Sequence, residues 1–216
     1  MMPMDESELP PRAAHFGLSP ALSRGLNALG VMSVSLVLIL AFVDQISHGD
    51  FPCTLCIMQR VGFIGVATGL CLNLRFGPRP SHYAIALLSA MIGGFVSARQ
   101  ALLHLAPATR VYGEPALDMH FYTWALTLFC IIIAGCTFLL LFDRQGPQVR
   151  RGRRRLSPFG FTALFVISIL TLVNGLSTVM ECGTGGCPED PANYRLLEKI
   201  APLAAWLSHA ATEQPH

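Results

Sequence analysis

Apolar residues run along this chain in long blocks instead of recurring on one face of shorter segments. A helix needs roughly 20 apolar residues to cross a hydrocarbon layer about 30 Å thick. Five blocks approach or reach that length, at residues 26–46, 54–74, 82–104, 120–142 and 159–180. Backbone polar groups inside a bilayer must be satisfied within the protein. The pattern therefore predicts an all-α integral membrane protein with five transmembrane helices.

The composition agrees with this fold class, because 13% of the residues are charged and soluble domains carry about 25%. The first block is expected to be a retained span and not a signal peptide. The tail before it carries Asp5, Glu6 and Glu8, and the block is longer than the roughly 7–15 apolar residues of a signal sequence.

Basic residues indicate the orientation. With the N-terminus inside, ten arginines fall on inner segments and only three basic residues on outer ones, as the positive-inside rule requires. The densest run, at 150–155, is interpreted as a topology anchor and not as a nucleic-acid site. We therefore expect no nucleic-acid partner, with membrane lipid as the surroundings.

The chain is predicted to have five parts. In order, they are a cytoplasmic tail at 1–25, a four-helix membrane domain at 26–142, an arginine-rich cytoplasmic loop at 143–158, the fifth helix at 159–180, and an outer cysteine-containing tail at 181–216.

The seven cysteines separate by position. Cys53 and Cys56 lie at the outer mouth of the second span, and Cys182 and Cys187 lie in the outer tail. The remaining three fall within apolar helices and are expected to be small buried hydrophobic residues; they are Cys71, Cys130 and Cys136.

The Cys53/Cys56 pair carries the strongest chemical signal. Pro52 marks a helix start, and the unpaired N–H groups of a first helical turn favour a thiolate, so the pair suits cycling between thiol and disulfide. Arg60 lies one turn below Cys56, and an arginine inside a span is a functional candidate. A structural disulfide and a soft-metal site remain alternatives, although a closed zinc site needs four ligands.

Residues 51–60, Phe-Pro-Cys-Thr-Leu-Cys-Ile-Met-Gln-Arg, resemble the Pro-Cys-x-x-Cys-x-x-x-Arg signature of the disulfide-bond formation protein B (DsbB) family. The resemblance runs from the first span to the fourth. It implies a four-helix transmembrane bundle, to which the last block adds a fifth transmembrane helix, and a bacterial inner-membrane thiol oxidase with a quinone cofactor (ubiquinone or menaquinone) and a periplasmic DsbA-like partner. With five spans, the distribution of basic residues then places the C-terminus in the periplasm. The resemblance also implies that Cys56 faces the quinone, Cys53 is its disulfide partner and Arg60 contacts the quinone.

One departure from the family concerns its second cysteine pair, which the best-known members carry between the third and fourth spans. Here the loop at 105–119 has no cysteine, and Cys182 and Cys187 follow the fifth span instead. Our hypothesis is that they are a relocated shuttle pair that receives electrons from the partner. A static disulfide that staples the tail is the alternative.

Weaker candidates lie near the outer end of the third span. Arg99, Gln100 and His104 are expected to line the quinone head-group site, since polar groups at that depth need partners; for Arg99, an extended side chain that reaches the membrane interface is the alternative. Asn174 and Thr178 in the fifth span are interpreted as hydrogen bonders between helices.

The alternative function is a non-catalytic membrane protein, either metal-handling or a scaffold with structural cysteines. A nearer alternative keeps the thiol oxidase chemistry, but the protein would oxidise one dedicated partner instead of a general one.

Overall fold

The computed structural model describes residues 18–48, 52–104, 120–142 and 156–183, together with Cys187. The helices in these ranges are α1 Pro20–His48, α2 Thr54–Phe76, α3 Pro80–His104, α4 Phe121–Phe142 and α5 Pro158–Cys182. All five are long and apolar enough to cross a membrane, and the described ranges contain no strand. The predicted fold class is confirmed: this is an all-α, multi-pass membrane protein.

The helix limits lie within two residues of the predicted spans, except at the start of α1, which begins at Pro20 where the apolar pattern predicts residue 26. A polar cap explains the difference. The Ser19 hydroxyl accepts a hydrogen bond from the Leu22 N–H at 3.2 Å, so the helix gains an additional turn before its apolar stretch starts. Ser157 caps α5 in the same way, accepting from the Gly160 N–H at 3.1 Å.

The helices alternate in direction, so α1 and α5 end and α2 begins at the same end of the bundle, which we call the cysteine end. Neighbouring helices pack in the order α4, α3, α2, α1, and α5 packs against α1 and α2. Large apolar side chains cover the outer surface; Phe95 is 72% exposed, Leu141 74% and Leu172 73%. A surface this apolar is suited to lipid and not to water.

Close approach of α2 and α3 depends on small residues. A Cβ atom on Gly62 would lie 3.0 Å from the Gly93 Cα atom and 3.1 Å from the Phe129 ring. Because both positions are glycine, the Phe129 ring reaches across from α4 and stacks on Phe63 with 4.1 Å between centroids. Small residues at such crossings are what lets membrane helices pack.

A buried polar network joins α1, α2 and α3 at the end opposite the cysteines. The side-chain amide of Asn27 donates to the Tyr83 hydroxyl at 3.0 Å, and the side-chain amide of Asn73 donates to Oδ1 of Asn27 at 3.0 Å. The Asn73 oxygen lies 3.0 Å from Nδ1 of His82. Both asparagines are 1% exposed, so the network is internal and ties three helices together.

Two expectations about single residues are wrong. Asn174 and Thr178 bond to carbonyl groups of their own helix, at Leu170 and Asn174, and not to a neighbouring helix. Cys136 is buried as expected, Cys71 is only half-buried, and Cys130 is exposed on the outer surface of α4.

Candidate functional site

Cys53 and Cys56 form a disulfide at the start of α2, with their Cα atoms 5.0 Å apart. Cys53 is the N-cap residue, and its sulfur accepts a hydrogen bond from the Cys56 N–H at 3.1 Å. Cys53 is 6% exposed, and Cys56 is half-buried. The positive end of the α2 dipole therefore lies at the sulfur atoms and favours negative charge on them.

Two buried glutamines, Gln59 on α2 and Gln100 on α3, bond to each other, and Gln100 contacts this disulfide. The side-chain amide of Gln59 donates to Oε1 of Gln100 at 2.7 Å. This bond orients the Gln100 side-chain nitrogen toward the sulfur atoms. That nitrogen lies 3.6 Å from Cys53 Sγ and 3.8 Å from Cys56 Sγ. A donor in this position bonds more strongly to a thiolate than to a disulfide, since charge strengthens hydrogen bonds.

Arg60 lies below the disulfide and is held by α1. Its guanidinium donates to the Gln45 side-chain oxygen at 2.9 Å and to the Ala41 carbonyl at 3.0 Å, and it lies 5.1 Å from the centroid of the Phe42 ring. These bonds use two of the five N–H groups of the Arg60 guanidinium. The remaining N–H groups can donate to an oxygen atom of a bound molecule.

Glu181, in the last turn of α5, is a site residue that the sequence analysis missed. Its carboxylate is 1% exposed and interacts electrostatically with the Arg60 guanidinium, which also attracts Asp44. Oxygen Oε2 of Glu181 accepts no hydrogen bond from any described residue. The signal that could have identified it is the one that identified Arg60, an ionisable residue at the end of an apolar span.

Cys182 and Cys187 form a second disulfide, with Cα atoms 4.4 Å apart. The α5 helix stops at Gly183, whose N–H bonds to the Val179 carbonyl at 2.9 Å. The φ of Gly183 is 64°, a conformation that glycine adopts without strain. The second disulfide therefore lies at the cysteine end, as the first one does. The geometry fits both a shuttle pair and a staple.

The two remaining candidates are placed differently. Arg99 is exposed, whereas its neighbour Gln100 is buried, and it is Gln100 that contacts the disulfide. His104 is the last residue of α3, and its side chain lies outside the described residues. The roles of both stay predictions. The outer tail beyond Cys187 and the loops at 105–119 and 143–155 also lie outside the described part of the chain.

Metal binding was one alternative for the cysteines. Within the described ranges, no three His, Cys, Asp or Glu side chains come together as metal ligands would. All four outer cysteines are in disulfides, a form that does not provide the thiolate that metals require.

Comparison with known proteins gives a family match over part of the chain. Residues 23–113 match the family model described as "Disulfide bond formation protein DsbB". That range contains the first disulfide, both glutamines and Arg60. It does not contain α4, α5 or the second disulfide.

Curated relatives cover a similar share of the chain. Proteins named "Disulfide bond formation protein B" match from Azoarcus sp. (strain BH72), 35% identical over 41% of this chain and 57% of the relative, and from Acidovorax sp. (strain JS42), 37% identical over 37% of this chain and 48% of the relative. A third, from Aromatoleum aromaticum, is 37% identical over 43% of this chain and 58% of the relative. The chain thus spans about half the length of these relatives. No solved structure matches it.

Proposed function

We propose that this protein, whose residues 23–113 match the DsbB family, is a membrane thiol:quinone oxidoreductase that supports disulfide bond formation. It reoxidises a periplasmic DsbA-like dithiol protein and passes the electrons to a membrane quinone. The observation that carries the proposal is the Cys53–Cys56 disulfide at a helix mouth, contacted by the buried Gln100 amide with Arg60 one turn below it.

The arrangement suits reversible thiol chemistry. When the Cys53–Cys56 bond is attacked by a thiolate, one sulfur leaves as a thiolate. The α2 N-terminus and the Gln100 amide stabilise that charge, and the Arg60 guanidinium adds a positive charge nearby. A static disulfide has no need of a donor positioned to bond both of its sulfurs.

The side chains beside the disulfide fit a quinone head group, which needs hydrogen-bond donors at its carbonyl oxygens. Arg60 retains N–H donors beyond the two that bond to α1 and orient it, so we assign it the quinone contact, with Arg99 and His104 as further candidates. A bound quinone accepts two electrons and two protons. Ubiquinone and menaquinone share these carbonyl oxygens, and the proposal is for a membrane quinone of either type.

The Cys182–Cys187 disulfide is proposed as the shuttle pair that meets the soluble partner. Its support is position, because α5 packs against α1 and α2 and ends at the same end of the bundle as the first disulfide. We place the protein in a bacterial inner membrane, as its likeness to the DsbB family suggests, with the N-terminus cytoplasmic and the C-terminus periplasmic, as the arginine distribution indicates.

Quinone reduction by the purified protein in detergent tests the oxidase. The protein is supplied with a reduced DsbA-like dithiol protein and a quinone, and Cys53→Ser/Cys56→Ser is compared with wild type. We expect thiol-driven quinone reduction in wild type and none in the variant. The matched control is Cys71→Ser/Cys130→Ser, which removes two thiols away from the site and should keep the activity. Wild-type protein that binds metal and reduces no quinone would favour the non-catalytic alternative.

A further inference from the structure

The buried carboxylate of Glu181 has no structural task that the described contacts explain. It is 1% exposed, and its Oε2 atom accepts no hydrogen bond from the described residues. Placing a carboxylate in a low-dielectric interior costs free energy unless it is paired. Arg60 supplies an opposite charge, but a carboxylate oxygen without a donor remains able to accept a proton.

Glu181 also occupies a particular position between the two disulfides. It precedes Cys182 in the chain, and its carboxylate interacts with Arg60, which lies one helical turn after Cys56. Glu181 is thus the chain neighbour of one cysteine pair, and its carboxylate interacts with a charged side chain beside the other.

The chemistry proposed for these pairs requires a proton acceptor. A thiol attacks a disulfide only as a thiolate, so a reduced Cys182/Cys187 pair must lose a proton before it can attack Cys53–Cys56. At a buried site, water is a poor acceptor for that proton, and a positioned carboxylate acts as a general base.

We infer that Glu181 is the proton acceptor for disulfide exchange between the Cys182/Cys187 dithiol and the Cys53–Cys56 disulfide, an inference that rests on the proposed shuttle function. One thiol of the outer pair gives its proton to the Glu181 carboxylate. The resulting thiolate forms a bond to one sulfur of Cys53–Cys56, and the other sulfur leaves as a thiolate beside Arg60.

The second step re-forms the outer disulfide and leaves the inner pair reduced. The remaining outer thiol attacks the mixed disulfide, the outer disulfide forms again, and the second inner sulfur is released. The proton held on Glu181 and the proton of the second outer thiol pass to the two inner sulfurs. Two electrons and two protons have then moved from the outer pair to the inner pair.

The charged groups that face Glu181 define the controls. Arg60 of α2 attracts it, and Asp44 of α1 is the second carboxylate attracted by Arg60. Asp44→Asn removes a negative charge from Arg60 without touching the outer cysteine pair. Comparing Asp44→Asn with Glu181→Gln therefore distinguishes the effect of changing the charge around Arg60 from the effect of losing a proton acceptor.

The test follows exchange in quinone-free protein. Protein in detergent receives a limiting amount of a reduced DsbA-like dithiol protein, samples are quenched with acid and alkylated, and mass spectrometry gives the redox state of each pair over time at several pH values. Cys182→Ser/Cys187→Ser measures direct reduction of the inner pair. Glu181→Gln should lower the rate of exchange on the order of 10²-fold near pH 7, where a carboxylate is ionised and most thiols are still protonated, and leave only the pH dependence of thiol ionisation.

Glu181→Asp should keep the wild-type pH dependence at a reduced rate, and Asp44→Asn should keep it as well. Equal rates and pH profiles in Glu181→Gln and wild type would overturn the role of Glu181 and leave the shuttle intact. If the inner pair is reduced no faster in wild type than in Cys182→Ser/Cys187→Ser, the shuttle itself fails. Should Glu181→Gln not fold, an unchanged rate in Glu181→Asp contradicts the inference.

Discussion

The amide nitrogen of Gln100 lies 3.6 Å from the sulfur of Cys53, although the two residues are 47 positions apart in the chain. This contact joins α3 to the first turn of α2. It makes the redox properties of the disulfide depend on a neutral side chain from a different helix.

Replacing Gln100 by Leu should make the Cys53/Cys56 pair more reducing. The loss of one hydrogen bond to a charged sulfur costs about 1.5 kcal/mol, which corresponds to a midpoint potential about 30 mV lower. Equilibration of quinone-free protein with a dithiothreitol redox buffer, followed by alkylation, measures the shift. Ser97→Ala is the control, since Ser97 lies one turn away on α3 and bonds to the Gly93 carbonyl. An equal potential in Gln100→Leu and wild type would show that the amide does not stabilise the thiolate.

Arg60→Lys should weaken quinone binding while keeping the positive charge. Lysine lacks the planar fork that bonds to Gln45 and Ala41. We expect the KM for quinone to rise about tenfold, equivalent to about 1.4 kcal/mol. Arg75→Lys is the matched control, because Arg75 lies at the other end of α2 over the Phe76 ring. A KM that does not change in Arg60→Lys would remove Arg60 from the quinone site.

The double variant Cys182→Ser/Cys187→Ser separates the shuttle from the staple. For a shuttle pair, oxidation of the DsbA-like partner falls by at least about tenfold, because the partner loses its entry point for thiol–disulfide exchange. Oxidation of dithiothreitol, which is small enough to reach Cys53–Cys56 directly, continues. A staple gives the opposite result: partner oxidation is unchanged and the unfolding temperature falls. Turnover with both thiols and unfolding in detergent are the two measurements.

Gly62→Ala should destabilise the bundle by about 1–3 kcal/mol, the usual cost of overpacking. The new methyl group would lie 3.0 Å from the Gly93 Cα atom, so α2 and α3 must separate. Unfolding by sodium dodecyl sulfate, followed by circular dichroism, gives the difference. Gly175→Ala is the control, since a methyl group there would meet no described neighbour within 4 Å and alanine favours the helix by about 1 kcal/mol. Equal losses in both variants would argue against a tight α2–α3 crossing.

The number and limits of the helices follow from the sequence because burial in lipid demands long apolar runs. The start of α1 lies earlier than predicted because a serine cap, not hydrophobicity, determines where it begins. The Cys53–Cys56 motif and Arg60 were identifiable because their spacing lies within one helix.

Contacts between helices were not predictable in the same way. Arg99 and Gln100 are adjacent polar residues, and a rotation of about 100° per residue decides which one reaches the disulfide. That rotation depends on how α3 packs against α2, and the apolar pattern, which is nearly continuous around each helix, does not determine it. For the same reason, the bonds from Arg60 to Gln45 and Ala41 and the position of Glu181 became visible only in the structure.

The hydrogen bonds among Asn27, Asn73 and Tyr83 fix how α1, α2 and α3 are aligned with one another, and the cysteine end depends on that alignment. In lipid, an apolar helix can rotate about its axis or slide along it with little hydrophobic penalty. This network holds the rotation and the height of α1, α2 and α3 at one end, and the stiffness of the helices carries that alignment to the other. Asn73 lies thirteen residues after Arg60, about 20 Å along α2. We therefore expect the reduction potential of the disulfide at one end of the bundle to depend on the asparagine contacts at the other end.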